Sequence, residues 1–138
     1  MKNIYFIFLI GILSLCCNSK KNNQELNLLA EHKNILQDES YDKGKLLFKK
    51  NCIACHSIEM DKIKTAPALG GVTTRRNKEW LYNYTRRSME MYKNGDSIAI
   101  NLRSQGWALM FSFPNLTDDD LDNIYYFVEK KFKNDKNH

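Results

Sequence analysis

The feature that most constrains this chain is the motif Cys52-Ile53-Ala54-Cys55-His56. Side chains three positions apart share one face of a helical turn, so the two thiols can bond one flat ligand or bind one ion. The histidine directly after the second thiol adds an imidazole, which is the commonest metal ligand in proteins. Three kinds of centre use such residues: a covalently attached haem, a zinc site and a thiol–disulfide centre.

The rest of the sequence favours haem over the other two centres. A structural zinc site needs four ligands, and the chain has neither a second C-x-x-C nor a closely spaced pair of histidines. A thioredoxin-like centre needs a βαβ pattern, whereas the apolar spacing here is helical. C-x-x-C-H is the attachment sequence of c-type haem, with Cys52 and Cys55 bonded to the porphyrin and His56 under the iron. The motif therefore predicts one covalently bound haem c.

Residues 1–17 have the pattern of an export signal. Lys2 gives a positive start, and the apolar run from Ile4 to Leu15 is too short to span a membrane. A cysteine directly after such a run resembles the bacterial lipoprotein signal, in which that cysteine becomes the lipidated first residue. Cys17 is preferred to Cys16, because the bulky Leu15 precedes Cys16. The alternative is a signal peptide that is cut elsewhere or kept as an anchor.

This pattern predicts an exported protein, anchored by lipid on the periplasmic side of a bacterial membrane. Behind the signal we expect a polar tether, residues 18–39, that could form a short helix, and one domain, residues 40–138. The chain is 43% hydrophobic and 27% charged, as in an ordinary soluble globular protein. Two of the four cysteines lie at the signal and two in the haem motif, so none remains for a structural disulfide.

The domain is expected to be all-α, with three or four helices, long loops and no strand. One helix begins at Ser40 and runs into Cys52, and a second begins after Asn77 as its N-cap. A third begins at Thr117, where three aspartates resemble a capping box and its acidic first turn. Residues 96–116 show no regular pattern, which indicates loops that wrap around a bulky ligand.

With these motifs in place, the chain resembles the class I c-type cytochromes over about residues 40–133. That family has a glycine and an aromatic residue before C-x-x-C-H, then a proline loop, an aromatic helix, a methionine segment and a terminal helix. The corresponding residues here are Gly44, Phe48, Pro67, Trp80, Met110, Ile124 and Phe127. The resemblance implies a cytochrome c fold around one haem, with the terminal helix packed against the first helix at its glycine.

The resemblance also implies the ligands of the iron. It makes Met110 the sixth ligand, opposite His56, and assigns the backbone carbonyl of Pro67 to the other ring nitrogen of His56. The family often has proline directly after this methionine, whereas Phe111 stands here. The other methionines of the domain are Met60, which is four residues from His56, and Met89 and Met91, which fall at the end of a helix. The first is too close to His56 in sequence to reach the opposite face, and the other two are more typical of core packing.

The function implied is that of a one-electron carrier and not an enzyme, with iron cycling between Fe(III) and Fe(II). Candidate partners are a quinol–cytochrome c-type complex, a terminal oxidase and a nitrogen-oxide reductase, with no role for nucleic acid. With a net charge of +5, Lys62 and Lys64 could form a basic rim for an acidic partner, or the excess could serve solubility. The alternatives are a fixed subunit of a larger complex and a peroxidase-like or gas-responsive haem protein with an open sixth site.

Overall fold

The computed structural model describes residues 18–137, and the side chains of residues 23–137. This part of the chain contains helices and turns but no strand, which confirms the all-α prediction. Its helices are α1 (Asn18–Asn51), α2 (Val72–Arg75), α3 (Lys78–Lys93), α4 (Ser97–Ser104) and α5 (Asp118–Lys136). Five helices exceed the three or four expected, because α2 is a single turn and α4 lies in the stretch expected to be irregular.

The chain divides into two compact units, Met1–Gln37 and Asp38–His138. The sequence predicted a new helix at Ser40, but α1 is one helix of 34 residues with Ser40 inside it. The physical reason is the absence of glycine and proline between Asn18 and Lys43, so nothing breaks the helix there. Within residues 18–137, no helix combines the length and apolarity needed to cross a membrane.

The helix starts follow their capping residues. The Asn77 side chain accepts the Trp80 N–H at 2.7 Å, and Thr117 forms a complete capping box with Asp120, which confirms both predicted starts. The missed helix α4 is capped in the same way. The Asp96 carboxylate accepts the Ala99 N–H at 2.8 Å and also the indole N–H of Trp80, so one side chain caps α4 and ties it to α3.

The core of the second unit is formed where α1 crosses α5. Its fully or almost fully buried members are Phe48, Met60, Leu81, Tyr82, Leu121, Ile124, Phe127 and Val128. The ring of Phe127 lies 5.2 Å from that of Tyr41 and 5.4 Å from that of Phe48, so α5 inserts one aromatic side chain between two of α1.

The crossing depends on Gly44. A Cβ atom built at this position would lie 2.0 Å from the backbone oxygen of Asn123 and 2.9 Å from the Cβ of Phe127. The two helix backbones are therefore in direct contact, and only glycine leaves room for that approach. This confirms the predicted packing of the terminal helix against the glycine of the first.

Candidate functional site

The Cys52–His56 motif folds as a tight turn that continues directly from α1. The N–H groups of Cys52 and Ile53 both donate to the Phe48 carbonyl, at 2.8 and 3.1 Å. The N–H groups of Cys55 and His56 then donate to the Cys52 carbonyl, at 3.1 and 2.9 Å. Because Phe48 is fully buried in the core, the motif is held in place by the α1–α5 packing.

His56 is buried, with 8% of its surface exposed. Its Nδ1 lies 3.0 Å from the carbonyl oxygen of Pro67, at the position that the resemblance implied. A carbonyl only accepts, so Nδ1 carries the proton and the lone pair of Nε2 is left to bind a metal. Burial lowers the pKa of His56 although the Pro67 hydrogen bond opposes it, which favours the neutral form that ligation requires.

The proline loop is itself bonded to the motif. The Ala66 N–H donates to the Cys55 carbonyl at 3.0 Å, and the Lys64 ammonium donates to the Ile53 carbonyl at 2.7 Å. These bonds fix the residue just before Pro67 against the turn, so the carbonyl that orients His56 has little freedom. The structure thus brings Cys52, Cys55, His56 and Pro67 together in one bonded unit.

Cys52 and Cys55 are free thiols, and both are half-buried. In the chain before haem attachment, burial, with a smaller contribution from Cys55, raises the pKa of the Cys52 thiol to about 12. Among the described residues, no three or more His, Cys, Asp or Glu side chains come together as a metal site. Two free thiols beside one oriented imidazole are the donor set that covalent haem c requires.

Met110 lies on the irregular segment between α4 and α5 and is half-buried. Its backbone carbonyl accepts the Ser88 hydroxyl of α3, and the Phe113 N–H donates to the Thr85 carbonyl of α3 at 2.9 Å. The segment is therefore attached to α3. Its role as the sixth ligand stays a prediction.

The other three methionines of the domain and the predicted lipidation residues complete the set of sequence candidates. Met60 is fully buried in the core, Met89 is 43% exposed on α3, and Met91 is half-buried near the end of that helix. The predicted lipidation residues, Cys16 and Cys17, lie outside the described residues.

Four polar residues around the site were not singled out from the sequence: Thr85, Ser88, Ser112 and Tyr125. The Tyr125 hydroxyl lies 2.7 Å from that of Thr85, and its burial raises its pKa to about 12. Thr85 and Ser88 are both buried, at positions three apart on α3. That spacing of polar residues on an otherwise buried helix face was the one signal that could have indicated them.

The cytochrome c family model matches residues 41–131 of this chain. Cytochrome c 2.1 of Caenorhabditis elegans is 43% identical over 35 residues, which are 25% of this chain and 32% of that protein. Cytochrome c type-1 of Ascaris suum is 33% identical over 42 residues, 30% of this chain and 38% of that protein. The matched stretch thus spans only about a third of the length of these curated relatives.

Among solved structures, the fold is similar to cytochrome c from Rhodothermus marinus. The TM-score is 0.61 at 23% sequence identity, and the match covers 70% of this chain and 80% of that one. An engineered form of that cytochrome, solved with a carbene intermediate, gives a TM-score of 0.57 at 22% identity over the same shares. With the family match over 41–131 and the C-x-x-C-H turn inside it, the chain belongs to the cytochrome c family and carries covalently bound haem c.

Proposed function

We propose that this chain is a mono-haem, one-electron carrier in which His56 and Met110 ligate the iron from opposite sides. The observation that carries the proposal is the buried imidazole of His56, with Nδ1 bonded to Pro67 and Nε2 left for the iron. The haem iron supplies the redox chemistry, since it takes up and releases one electron between its ferric and ferrous states. The family as a whole consists mainly of such electron carriers, and this supports a carrier over an enzyme.

The chain contributes fixed geometry. The imidazole is oriented by a backbone carbonyl, and a thioether is a soft ligand that binds both oxidation states of iron. The motif and the proline loop are joined by backbone hydrogen bonds, and the motif is attached to the buried core. Small structural change between oxidation states is what fast electron exchange requires, and this rigidity provides it.

The test is the absorption spectrum of the ferric holoprotein and of three methionine variants. We expect a low-spin spectrum with the weak sulfur-to-iron charge-transfer band at the red end. Met110→Ala should abolish that band, whereas Met89→Ala and Met91→Ala, which serve as matched controls, should keep it. A high-spin spectrum of the unsubstituted protein would instead favour the open sixth site of a peroxidase-like or gas-responsive protein. Loss of the band in a control variant would move the ligand to that methionine.

We further propose that the protein is exported and lipidated at Cys17, with Cys16 as the alternative, on the periplasmic side of a bacterial membrane. The support is the apolar run that ends directly before the two cysteines. Mass spectrometry of the mature N-terminal peptide should find an acylated Cys17. Cys17→Ala should release the haem protein from the membrane fraction and Cys16→Ala should not. The opposite result would assign the lipid to Cys16, and release by neither variant would indicate an uncleaved apolar anchor.

We propose a redox protein as the partner: a quinol–cytochrome c-type complex, a terminal oxidase or a nitrogen-oxide reductase with an acidic docking surface. The support is the net charge of +5 and the position of the Lys64 ammonium, which is bonded to the Ile53 carbonyl of the Cys52–His56 turn. Lys62 contributes less, because it is already paired with Glu59. The rate of electron exchange with each candidate should fall as salt increases, since screening weakens electrostatic steering. A rate independent of salt would assign the positive charge to solubility alone.

A further inference from the structure

Helix α3 is kinked in its middle. Arg87 has φ −141° and ψ 35°, well outside the helical range, although the helix continues on both sides of it. Residues 78–93 contain neither proline nor glycine. The kink therefore needs another cause, and among the known ones the contacts around Arg87 support a side chain inserted into the hydrogen-bond ladder.

The inserted side chain belongs to Ser112, which lies two residues after Met110. In a regular helix the Thr85 carbonyl accepts from the N–H of Met89. Here the Thr85 carbonyl accepts from the Phe113 N–H at 2.9 Å, and the Met89 N–H faces the Ser112 hydroxyl oxygen at 3.5 Å. The segment that carries Met110 thus provides a partner for both the Thr85 carbonyl and the Met89 N–H at the kink.

Ser88 completes the connection to Met110. It is fully buried, and its hydroxyl donates to the Met110 carbonyl at 2.5 Å. Its oxygen also lies 3.2 Å from that of Ser112. Because the single proton of Ser88 goes to the Met110 carbonyl, the Ser112 hydroxyl is the donor in this second bond. The bonds then run in one direction, from the Met89 N–H through Ser112 and Ser88 to the Met110 carbonyl.

We propose that Ser88 and Ser112 are positioning residues that hold Met110 on the iron. They fix the backbone of the methionine to the kinked part of α3 and so limit how readily its thioether leaves. Proline, which often follows the ligand methionine in related sequences, would stiffen this segment. Phe111 stands there instead and is 74% exposed, so it adds little packing. The inference rests on the proposed ligation by Met110.

The experiment compares Ser88→Ala and Ser112→Ala with Ser104→Ala in the ferric holoprotein. Ser104 is a matched control, because it is an exposed serine that donates only to Asn101 within α4. Two quantities are measured: the affinity for added imidazole, which displaces a weakly held methionine, and the temperature at which the sulfur-to-iron band is lost relative to global unfolding. A lost hydrogen bond that leaves a partner unsatisfied corresponds to roughly a tenfold change in an equilibrium constant.

We expect Ser88→Ala and Ser112→Ala each to raise the imidazole affinity about tenfold, with the band lost well below the unfolding temperature. Ser104→Ala should leave both quantities unchanged, and Ser112→Thr, which keeps the hydroxyl, should behave nearly like the unsubstituted protein. The double variant should add little to either single one, because the two serines share one network.

The outcomes separate the two proposals. If Met110→Ala abolishes the band but the serine variants behave like Ser104→Ala, the positioning role is refuted and the ligation stands. If the unsubstituted protein lacks the band, both proposals fall together. Ser112 is only half-buried, so its variant provides the answer even if Ser88→Ala does not fold.

Discussion

Replacing Gly44 by alanine tests the α1–α5 crossing, on which the position of the haem motif depends. The added Cβ would lie 2.0 Å from the Asn123 carbonyl oxygen, whereas ordinary contact begins at 3.4 Å, so the helices must separate by about 1.4 Å. Overpacking of a core costs about 1–3 kcal/mol, and the upper end applies here because the nearest atoms are backbone. The higher helix propensity of alanine offsets about 1 kcal/mol of this loss of stability. The expected net loss is therefore about 2 kcal/mol.

For a domain of this size, that loss corresponds to a fall in Tm of roughly 8–16 °C. Thermal unfolding of the holoprotein, followed by far-UV circular dichroism, measures it. Leu46→Ala is the control, because this neighbour in α1 is 69% exposed and its truncation should change Tm little. Helix propensity alone predicts the opposite sign, a rise in Tm. An unchanged or higher Tm for Gly44→Ala would therefore refute the close approach of the two backbones.

Three further predictions concern hydrogen bonds made by the side chains of Asp96, Arg86 and Asp120. Asp96→Ala removes both the α4 cap and the partner of the Trp80 indole, and should lower the free energy of unfolding by about 1–2 kcal/mol in denaturant titrations, with Asp96→Asn restoring most of it. Arg86→Ala removes a 2.6 Å bond to the Leu116 carbonyl and should cost about 1 kcal/mol, which Arg86→Lys should not recover because lysine lacks the planar fork. The Thr117 hydrogen bonds lower the pKa of Asp120, so its contribution to stability is present above about pH 4 and is lost as pH falls through the folded pKa. Asp120→Asn should thus be less stable than the unsubstituted protein at neutral pH and equal to it in strong acid; a constant difference across unfolding curves at several pH values would contradict this.

The parts of the structure that could be predicted are those encoded by short-range spacing. Cys52–His56 is contiguous, Asn77 and Thr117 cap the turns that directly follow them, and Gly44 precedes Phe48 by one turn. Helix α4 was missed although it has an ordinary Asp96 cap, because its eight residues carry too short a pattern to distinguish a helix from a loop. The continuity of α1 through Ser40 was missed because a good capping residue is also tolerated inside a helix.

The kink of α3 could not have been predicted from its own sequence. The side chain bonded at the kink is that of Ser112, which is 24 residues beyond Ser88 and contacts it only after the chain has folded. The sequence predicted a helix from Asn77, but the backbone of this helix departs from helical geometry at one residue, Arg87, beside the bonds to the distant segment. Contacts of this kind leave no local signal, which is why the support of the Met110 segment became visible only in three dimensions.

The bond from the Phe113 N–H to the Thr85 carbonyl has a consequence for dynamics. It joins the Met110 segment to α3, so this amide is protected from solvent only while the segment stays in place. Amides inside the α1–α5 crossing, by contrast, exchange their hydrogen only when the core itself opens. The ratio of the two exchange rates therefore measures local opening of the segment separately from unfolding of the domain. One backbone amide thus reports how often the segment that carries Met110 detaches from α3.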